Sequence, residues 1–538
     1  MDLKGTEKSP EPDAAITREV ELNLRASPAA IAQLLASPLL SSGIPGLSGS
    51  QKLDAAYYDT TDRRLHKRGV SLRIRREGQR FIQTVETTRS TTGVFDRREW
   101  ETIVPDFCPR PDWVMDSGAR ALLGHLASGE LEDVCRTIIQ RKTRVIGYKN
   151  NGATALIEIA FDVGTLEAGD VALPTAEVEL ELLKGSRHAL YSLALELHEI
   201  APLQIEYRSK AERAYAMFAG QDPQMQKAKK LRFAADATVD YSIAAVFENC
   251  LSHWQANETA VLEGDNAEAL HQMRVALRRT RSALNLFGSV LPLMQAGWLK
   301  TESRWIARAL GSARNWDVFL DDVLVPLEAK RPGDTSLAAL RQQCLRARAR
   351  NYETAREAIR SPRYTTFVLN FNRWLEEAGW HSSYNKTRSE ILAAPLEAFA
   401  DTILEQQHRK LTKLGRQLAS ATPAKRHKFR IAVKKMRYAS EFFGTLYSAK
   451  KSRAMIRDMA RLQTTLGELN DFAVTERQLE TVVYQAFADP AHDEIIRAMG
   501  VVVGWCTARA RRDESKLLGE WSRYAQRKRF WKRPRKNK

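Results

Sequence analysis

Charged side chains are sorted by sign along three alternating segments in the first two hundred residues. Glu19-Val20-Glu21-Leu22-Asn23-Leu24 and Glu177-Val178-Glu179-Leu180-Glu181-Leu182 place carboxylates at alternate positions, and Val70-Ser71-Leu72-Arg73-Ile74-Arg75 does the same with guanidinium groups. A period of two puts each polar set on one face of a strand and each apolar set on the other. Hard oxygen ligands suit Mg²⁺, and guanidinium forks grip phosphate oxygens in pairs. Strands closed into a barrel would arrange both sets around one lumen. A metal–triphosphate complex fits such a lumen, and in-line attack by water on a clamped phosphoryl group is the natural reaction. The plain alternative is a sheet with one wet face. Further bases are Arg97 and Arg98, Lys142 and Arg144, and Arg208 and Lys210.

A different arrangement of bases follows. His271-Gln-Met-Arg274-Val-Ala-Leu-Arg278-Arg279-Thr-Arg281 recurs as His427-Lys-Phe-Arg430-Ile-Ala-Val-Lys434-Lys435-Met-Arg437, at an offset of 427 − 271 = 156. Leu310-Gly311 recurs as Leu466-Gly467 and Phe287 as Phe443, at the same offset. One offset shared by separate motifs predicts two copies of a helical unit. On a wheel of about 100 degrees per residue, positions 271, 274, 278 and 281 share a stripe roughly 80 degrees wide, as do 427, 430, 434 and 437. No glutamate lies between Glu268 and Glu302 or between Glu405 and Glu441. The stripes therefore read as anion-binding ridges, with Val275, Leu277, Ile431 and Val433 left for packing. An ordinary basic surface is the alternative, and His271 and His427 could be structural.

These elements belong to a chain of 538 residues with 83 Lys+Arg, 65 Asp+Glu and a formal net charge of +18. Residues 1–220 hold 28 basic and 31 acidic side chains, and the rest of the chain 55 and 34. The net of −3 against +21 predicts that the second part attracts a polyanion by bulk charge and the first does not. A length of this order implies three or more domains or two large ones, and 43% hydrophobic residues suffice for their cores. This composition excludes a wholly disordered chain, a collagen-like repeat and a disulfide-stapled miniprotein. No apolar run approaches the roughly 20 residues of a bilayer span. Five scattered cysteines without a CxxC pair argue for a reducing compartment and against zinc, so a cytoplasmic location is expected. The expected layout is a disordered tail over 1–17, a strand domain over 18–218, a linker over 219–233, a helical domain over 234–520 and a basic tail over 521–538. Phe530-Trp531 is expected to pack back on the helices.

Glu19–Asn23, Tyr57-Tyr58-Asp59-Thr60, Gly69–Gly78, Arg98-Glu99-Trp100-Glu101, Glu177–Glu181 and Ser209-Lys210-Ala211-Glu212-Arg213 together resemble the CYTH domain of the triphosphate tunnel metalloenzymes. The resemblance implies an eight-stranded antiparallel tunnel. It implies Mg²⁺ or Mn²⁺ on Glu19, Glu21, Glu177, Glu179 and Glu181, triphosphate on Arg73, Arg75, Arg98, Arg144 and Lys210, and catalytic roles for Glu19, Glu21 and Lys142. Members hydrolyse inorganic or thiamine triphosphate, and some cyclise ATP. Two positions depart from the family pattern: Asn23 stands where the opening signature has Lys, and Glu86 follows Thr84-Val85 where Lys is usual.

The two His/Arg helices, Leu310–Val318 and Leu462–Asp471 resemble the CHAD domain. This implies an all-α domain of two pseudo-symmetric four-helix bundles with a basic central groove for inorganic polyphosphate. His271, Arg274, Arg278, Arg281, Arg314, His427, Arg430, Lys434 and Arg437 would line that groove. Asn315 stands where the family usually has Asp. The expected fold is thus α+β, a tunnel barrel followed by helical bundles. The expected function is polyphosphate binding joined to a metal-dependent triphosphatase weakened by Asn23 and Glu86. The alternatives are a non-catalytic scaffold on polyphosphate granules and, less favoured, a nucleic-acid binder, for which the stripes lack interleaved aromatics to stack on bases.

Overall fold

A computed structural model describes residues 17–41, 44, 47–87, 90–91, 94–150, 153–219, 223–382 and 386–532. The expected disordered tail, apart from Thr17, and the last six residues of the basic tail lie outside them. The chain forms two compact units: residues 1–223 with 365–377, and 224–364 with 378–538.

The first unit is a closed antiparallel barrel of eight strands: β1 (Thr17–Arg25), β2 (Gly49–Asp59), β3 (Val70–Glu77), β4 (Arg80–Thr87), β5 (Val94–Val104), β6 (Glu132–Asn150), β7 (Ala153–Ala168) and β8 (Val171–Lys184). Around the barrel the order is β1-β8-β7-β6-β2-β3-β4-β5, and β1 pairs with β5 to close it. Registers fix which charges meet: Glu19 lies opposite Arg97, Glu21 opposite Glu181, and Asn23 opposite Glu179. The outward apolar positions of β2, β3 and β4 pack under a lid of short helices, with Leu72, Ile74, Val85 and Trp100 in one core. Close packing of β6 on β7 requires Gly164, because a Cβ there would stand 2.0 Å from the Ile138 carbonyl oxygen. After the barrel, helix α1 (Lys210–Ala219) packs Ala211, Ala214 and Tyr215 against Tyr57 and Leu166.

The second unit is helical. Its first half contains α2 (Val239–Gln255), α3 (Ala267–Leu286), α4 (Leu293–Phe319) and α5 (Thr335–Arg360). Its second half contains α6 (Leu396–Gly415), α7 (Pro423–Phe443), α8 (Ala449–Gln485) and α9 (His492–Ala525). The sequence repeat is the structural repeat: α7 begins 423 − 267 = 156 residues after α3, and α8 begins 449 − 293 = 156 after α4. Counterparts also meet in space, α3 against α7 and α5 against α9, as a pseudo-twofold axis demands. Phe287 and Phe443, themselves counterparts, touch edge to face with ring centroids 6.1 Å apart. Leu277 and Val433 are buried as expected, whereas Ile431 is 42% exposed and does not pack in the core. Phe530 and Trp531 are buried against Tyr447 and His408. Arg527 and Arg529 are tied to Asp458 and Glu405, so this part of the basic tail is docked.

Candidate functional site

The barrel encloses a cavity of about 290 Å³. Glu19, Glu21, Arg73, Arg75, Glu179 and Glu181 line it, joined by Lys210, which reaches in from the start of α1. Glu177 shares their strand face but is engaged by Arg213 and, at 3.3 Å, by Lys210. The other three expected bases do not enter. Lys142 and Arg98 are exposed on the outer wall, and the Arg144 guanidinium donates to its neighbour's carbonyl, that of Thr143, at 2.9 Å. Alternation explains the difference: Arg141 and Arg97, one residue away in each strand, carry the inward parity and line the cavity. Sequence reading also missed Glu99, Glu101, Glu158 and Asp162, whose inward parity is set by the buried Trp100, Ile157, Ile159 and Phe161 beside them.

The lumen is a mesh of opposite charges. Arg97 is 2.7 Å from Glu21. Arg141 bridges Asp162 at 2.7 Å and also reaches Glu179. Lys210 contacts Asp162 at 2.9 Å and Glu179. Burial opposes ionisation of Glu179, but Lys210 and Arg141 outweigh it and hold the carboxyl well below the usual range. Glu86 is likewise held ionised by Arg73 and Arg97 despite being buried. Glu19 goes the other way: burial, then Glu21 and Glu99, push it up to about 10. Burial, Glu158 and Glu21 raise Glu181 to about 7. Asn23, at the first departure, donates to Glu21 at 3.1 Å and so replaces a cation with a neutral partner.

Around the cavity, carboxylates outnumber bases by ten to five. Such an excess is costly in a low-dielectric lumen unless protons or cations enter it. The donors are oxygen atoms, which suit a hard divalent ion. Among the described residues no three carboxylates already close on one point. The residues present fit such an ion, with Glu19 and Glu181 the least committed to bases and Glu21 beside them, paired with Arg97.

In the helical unit a second cavity, about 550 Å³, gathers His271, Arg274, Arg278, Arg314, Arg430 and Lys434 from α3, α4 and α7. The two stripes converge on it, brought together by the packing of α3 on α7, where Arg278 donates to the Tyr438 hydroxyl at 3.4 Å. Three expected members stand apart from its lining. His427 is exposed near the start of α7. Arg437 is held by Glu441 at 2.7 Å. Arg281 faces Arg304 and Arg308, which with burial disfavour its charge. Burial and the like charges of Arg278 and Arg314 also disfavour the charge of Arg274, which donates to the Ala307 carbonyl at 3.1 Å. Guanidinium stays charged at neutral pH, so this crowding favours an anion beside it. Asp322, Glu468 and Asp513 line it as well, Glu468 already 3.3 Å from Arg509. The side chains of Asn470 and Asp471 lie outside the described residues.

Comparison with known proteins agrees with this division. The CYTH domain family model matches residues 17–215 and the CHAD domain family model residues 245–480. Over 168 residues the chain is 27% identical to the inorganic triphosphatase of Haemophilus influenzae, a match spanning 31% of this chain and 46% of that one, less than half its length. It is 23% identical over 468 residues to an uncharacterized protein of Mycobacterium tuberculosis, covering 82% of this chain and 83% of that one. The crystal structure of the CHAD domain from the plant Ricinus communis is 32% identical with a TM-score of 0.48, covering 56% of this chain and 96% of that one. With the barrel at the one match and the helical repeat at the other, the chain belongs to the proteins that join a CYTH domain to a CHAD domain.

Proposed function

We propose that the helical domain holds inorganic polyphosphate and that the tunnel is a metal-dependent triphosphatase, cleaving triphosphate to diphosphate and phosphate. The observation that carries this reading is the convergence of six basic stripe and helix residues on one cavity, in a chain whose barrel lumen carries both phosphate-gripping arginines and cation-seeking glutamates. The matched part of the Haemophilus inorganic triphosphatase supports the tunnel reading.

In the tunnel, Arg73, Arg75 and Arg97 would bind and orient the phosphate chain, exchanging their present carboxylate partners for phosphate oxygens. Glu19, Glu21 and Glu181 would hold Mg²⁺ or Mn²⁺, which supplies charge neutralisation and polarises the scissile phosphoryl group. Lys210 and Arg141 keep Glu179 ionised and fixed against Asp162, so that part of the wall stays in place during exchange. Positioning and electrostatic stabilisation are what phosphoryl transfer asks of a protein. The location that follows is the cytoplasm, on polyphosphate granules.

Phosphate release from triphosphate with Mg²⁺ or Mn²⁺ tests this. Turnover abolished by Glu19→Gln with Glu21→Gln is the expected result. A second reading, a granule scaffold with a silent tunnel, is favoured by Glu86, which lies buried between Arg73 and Arg97. Absence of metal-dependent release in the parent protein would establish it. Competition between long-chain polyphosphate and RNA at 150 mM salt, roughly physiological ionic strength, tests the helical domain; stronger displacement by RNA would overturn the polyphosphate assignment.

A further inference from the structure

The helical unit has another cavity, about 590 Å³, between the segment 228–233 and the corner joining α7 to α8. Its size lies in the range of small-molecule pockets, about 300–1,000 Å³. None of its lining residues belongs to the stripe cavity. Phe233 on one wall and Ile456 with the bare backbone of Gly444 on the other give it apolar surface. Lys229, Lys230, Arg232, Arg279 and Arg453 surround it against one carboxylate, Glu441, already held by Arg437. The 37-residue helix α8 begins here, with Ala449, Ser452 and Arg453 of its first turns in the lining. Its N-cap Ser448 makes no side-chain cap, so free N–H groups and the positive end of the helix dipole are available to an anion.

Two buried polar residues stand in its wall. Ser440 is fully buried and Arg279 is 9% exposed. Both residues belong to the cavity wall; the Ser440 Oγ and the Arg279 Nε are buried within it without a hydrogen-bond partner, while the Arg279 Nη2 donates to Asn249 Oδ1 at 2.7 Å and its guanidinium lies over the Phe442 ring. Buried polar atoms are nearly always satisfied, and exceptions often mark an absent water or ligand. The wall itself is fixed: the Gln226 N–H donates to Asn257 Oδ1 at 2.9 Å, and Asn249 Nδ2 donates to the Lys229 carbonyl at 2.8 Å.

We infer that this cavity binds an aromatic organic phosphate of mononucleotide size. Its phosphate rests on Lys229, Arg453 and the start of α8, and its ring lies against Phe233 and Ile456. The test is calorimetric titration of the full chain with the four ribonucleoside monophosphates and with inorganic phosphate, in EDTA to silence metal-dependent binding in the tunnel. At least one nucleotide should bind tenfold or more tightly than inorganic phosphate. Lys229→Glu with Arg453→Glu, both exposed positions, should weaken it at least tenfold, and Ile456→Trp should do the same by filling the apolar side. Both variants should keep the parent's polyphosphate binding, which reports a folded domain. Nucleotide affinity no better than that of phosphate, affinity unchanged by the double variant, or competitive displacement by long-chain polyphosphate would each overturn the assignment.

Discussion

The Glu86 carboxylate stands 3.9 Å from the Arg73 guanidinium inside the barrel, with Arg97 4.0 Å away on another side. It therefore occupies, as a built-in anion, the charge of two groups that a triphosphate would need. Glu86→Gln removes that competitor while keeping the shape. A charge-assisted hydrogen bond is worth about 1.5–3 kcal/mol, so triphosphate should bind about tenfold more tightly or better. The variant alone should melt lower, because Arg73 and Arg97 lose a buried partner, and triphosphate should raise its melting temperature more than the parent's. Equal ligand-induced shifts in the two proteins would show that Glu86 does not contend with substrate.

Position on the barrel wall, more than charge, should decide which bases matter. Arg97→Ala and Arg141→Ala, both at lumen positions, should lower triphosphate turnover by tenfold or more. Lys142→Glu, a larger electrostatic change on the exposed outer face, should leave it within about twofold. Steady-state phosphate release on the three variants checks this.

That contrast also marks how far the sequence could be read. Where apolar residues alternate strictly, as in Glu19–Leu24, Val70–Arg75 and Glu177–Leu182, the lumen face was legible. In Gln140-Arg141-Lys142-Thr143-Arg144 every residue is polar, so nothing in the pattern says which parity points inward. The choice is made by pairing with β7, which sets Arg141 opposite Asp162 and Lys142 opposite Phe161. In the helical half the offset of 156 read from the motifs is the offset between the starts of α3 and α7 and of α4 and α8. It could not reveal that the counterparts Arg278 and Lys434 line the cavity while Arg437 turns to Glu441, because Glu441 has Asn285 as its counterpart and the symmetry fails there.

Polyphosphate binding should depend on pH through His271. Burial, Arg314 and Arg278 push its ring down to about 4, below the ordinary value near 6.5. The neutral ring is thus favoured in the free domain, whose stability falls as pH drops from about 6.5 toward 4. A polyanion beside the ring reverses the preference, so binding takes up a proton and affinity rises as pH falls through that window. Calorimetry at pH 5.5 in two buffers of different ionisation enthalpy measures the uptake. His271→Gln should flatten the slope, and unchanged uptake would place the ligand away from His271.

The stripes themselves should be decisive together. Arg274→Glu with Arg430→Glu inverts two of the charges lining the shared cavity and should abolish polyphosphate capture at 150 mM salt, roughly physiological ionic strength. His427→Ala, at an exposed position outside the lining, should change affinity less than twofold. A filter-binding titration separates the cases.

The recurring Leu-Gly pair explains itself through Arg274. A Cβ on Gly311 would stand 2.8 Å from the Arg274 Nη1, so the glycine leaves room for the guanidinium to lie across α4 and donate to the Ala307 carbonyl. Its counterpart Gly467 lines the same cavity. Gly311→Ala should cost little stability, because the obstructing atom is the far end of a flexible side chain and alanine favours the helix by roughly 1 kcal/mol over glycine. It should nevertheless weaken polyphosphate binding several-fold by displacing Arg274. Gly415→Ala is the contrasting case. There a Cβ would stand 2.0 Å from the Trp521 ring, which is packed on Phe429 and Tyr524 and cannot swing aside. That variant should lose several degrees of melting temperature while its folded fraction keeps the parent's affinity. Thermal melts read beside binding isotherms distinguish a glycine that seats a ligand-binding arginine from one that seats a helix.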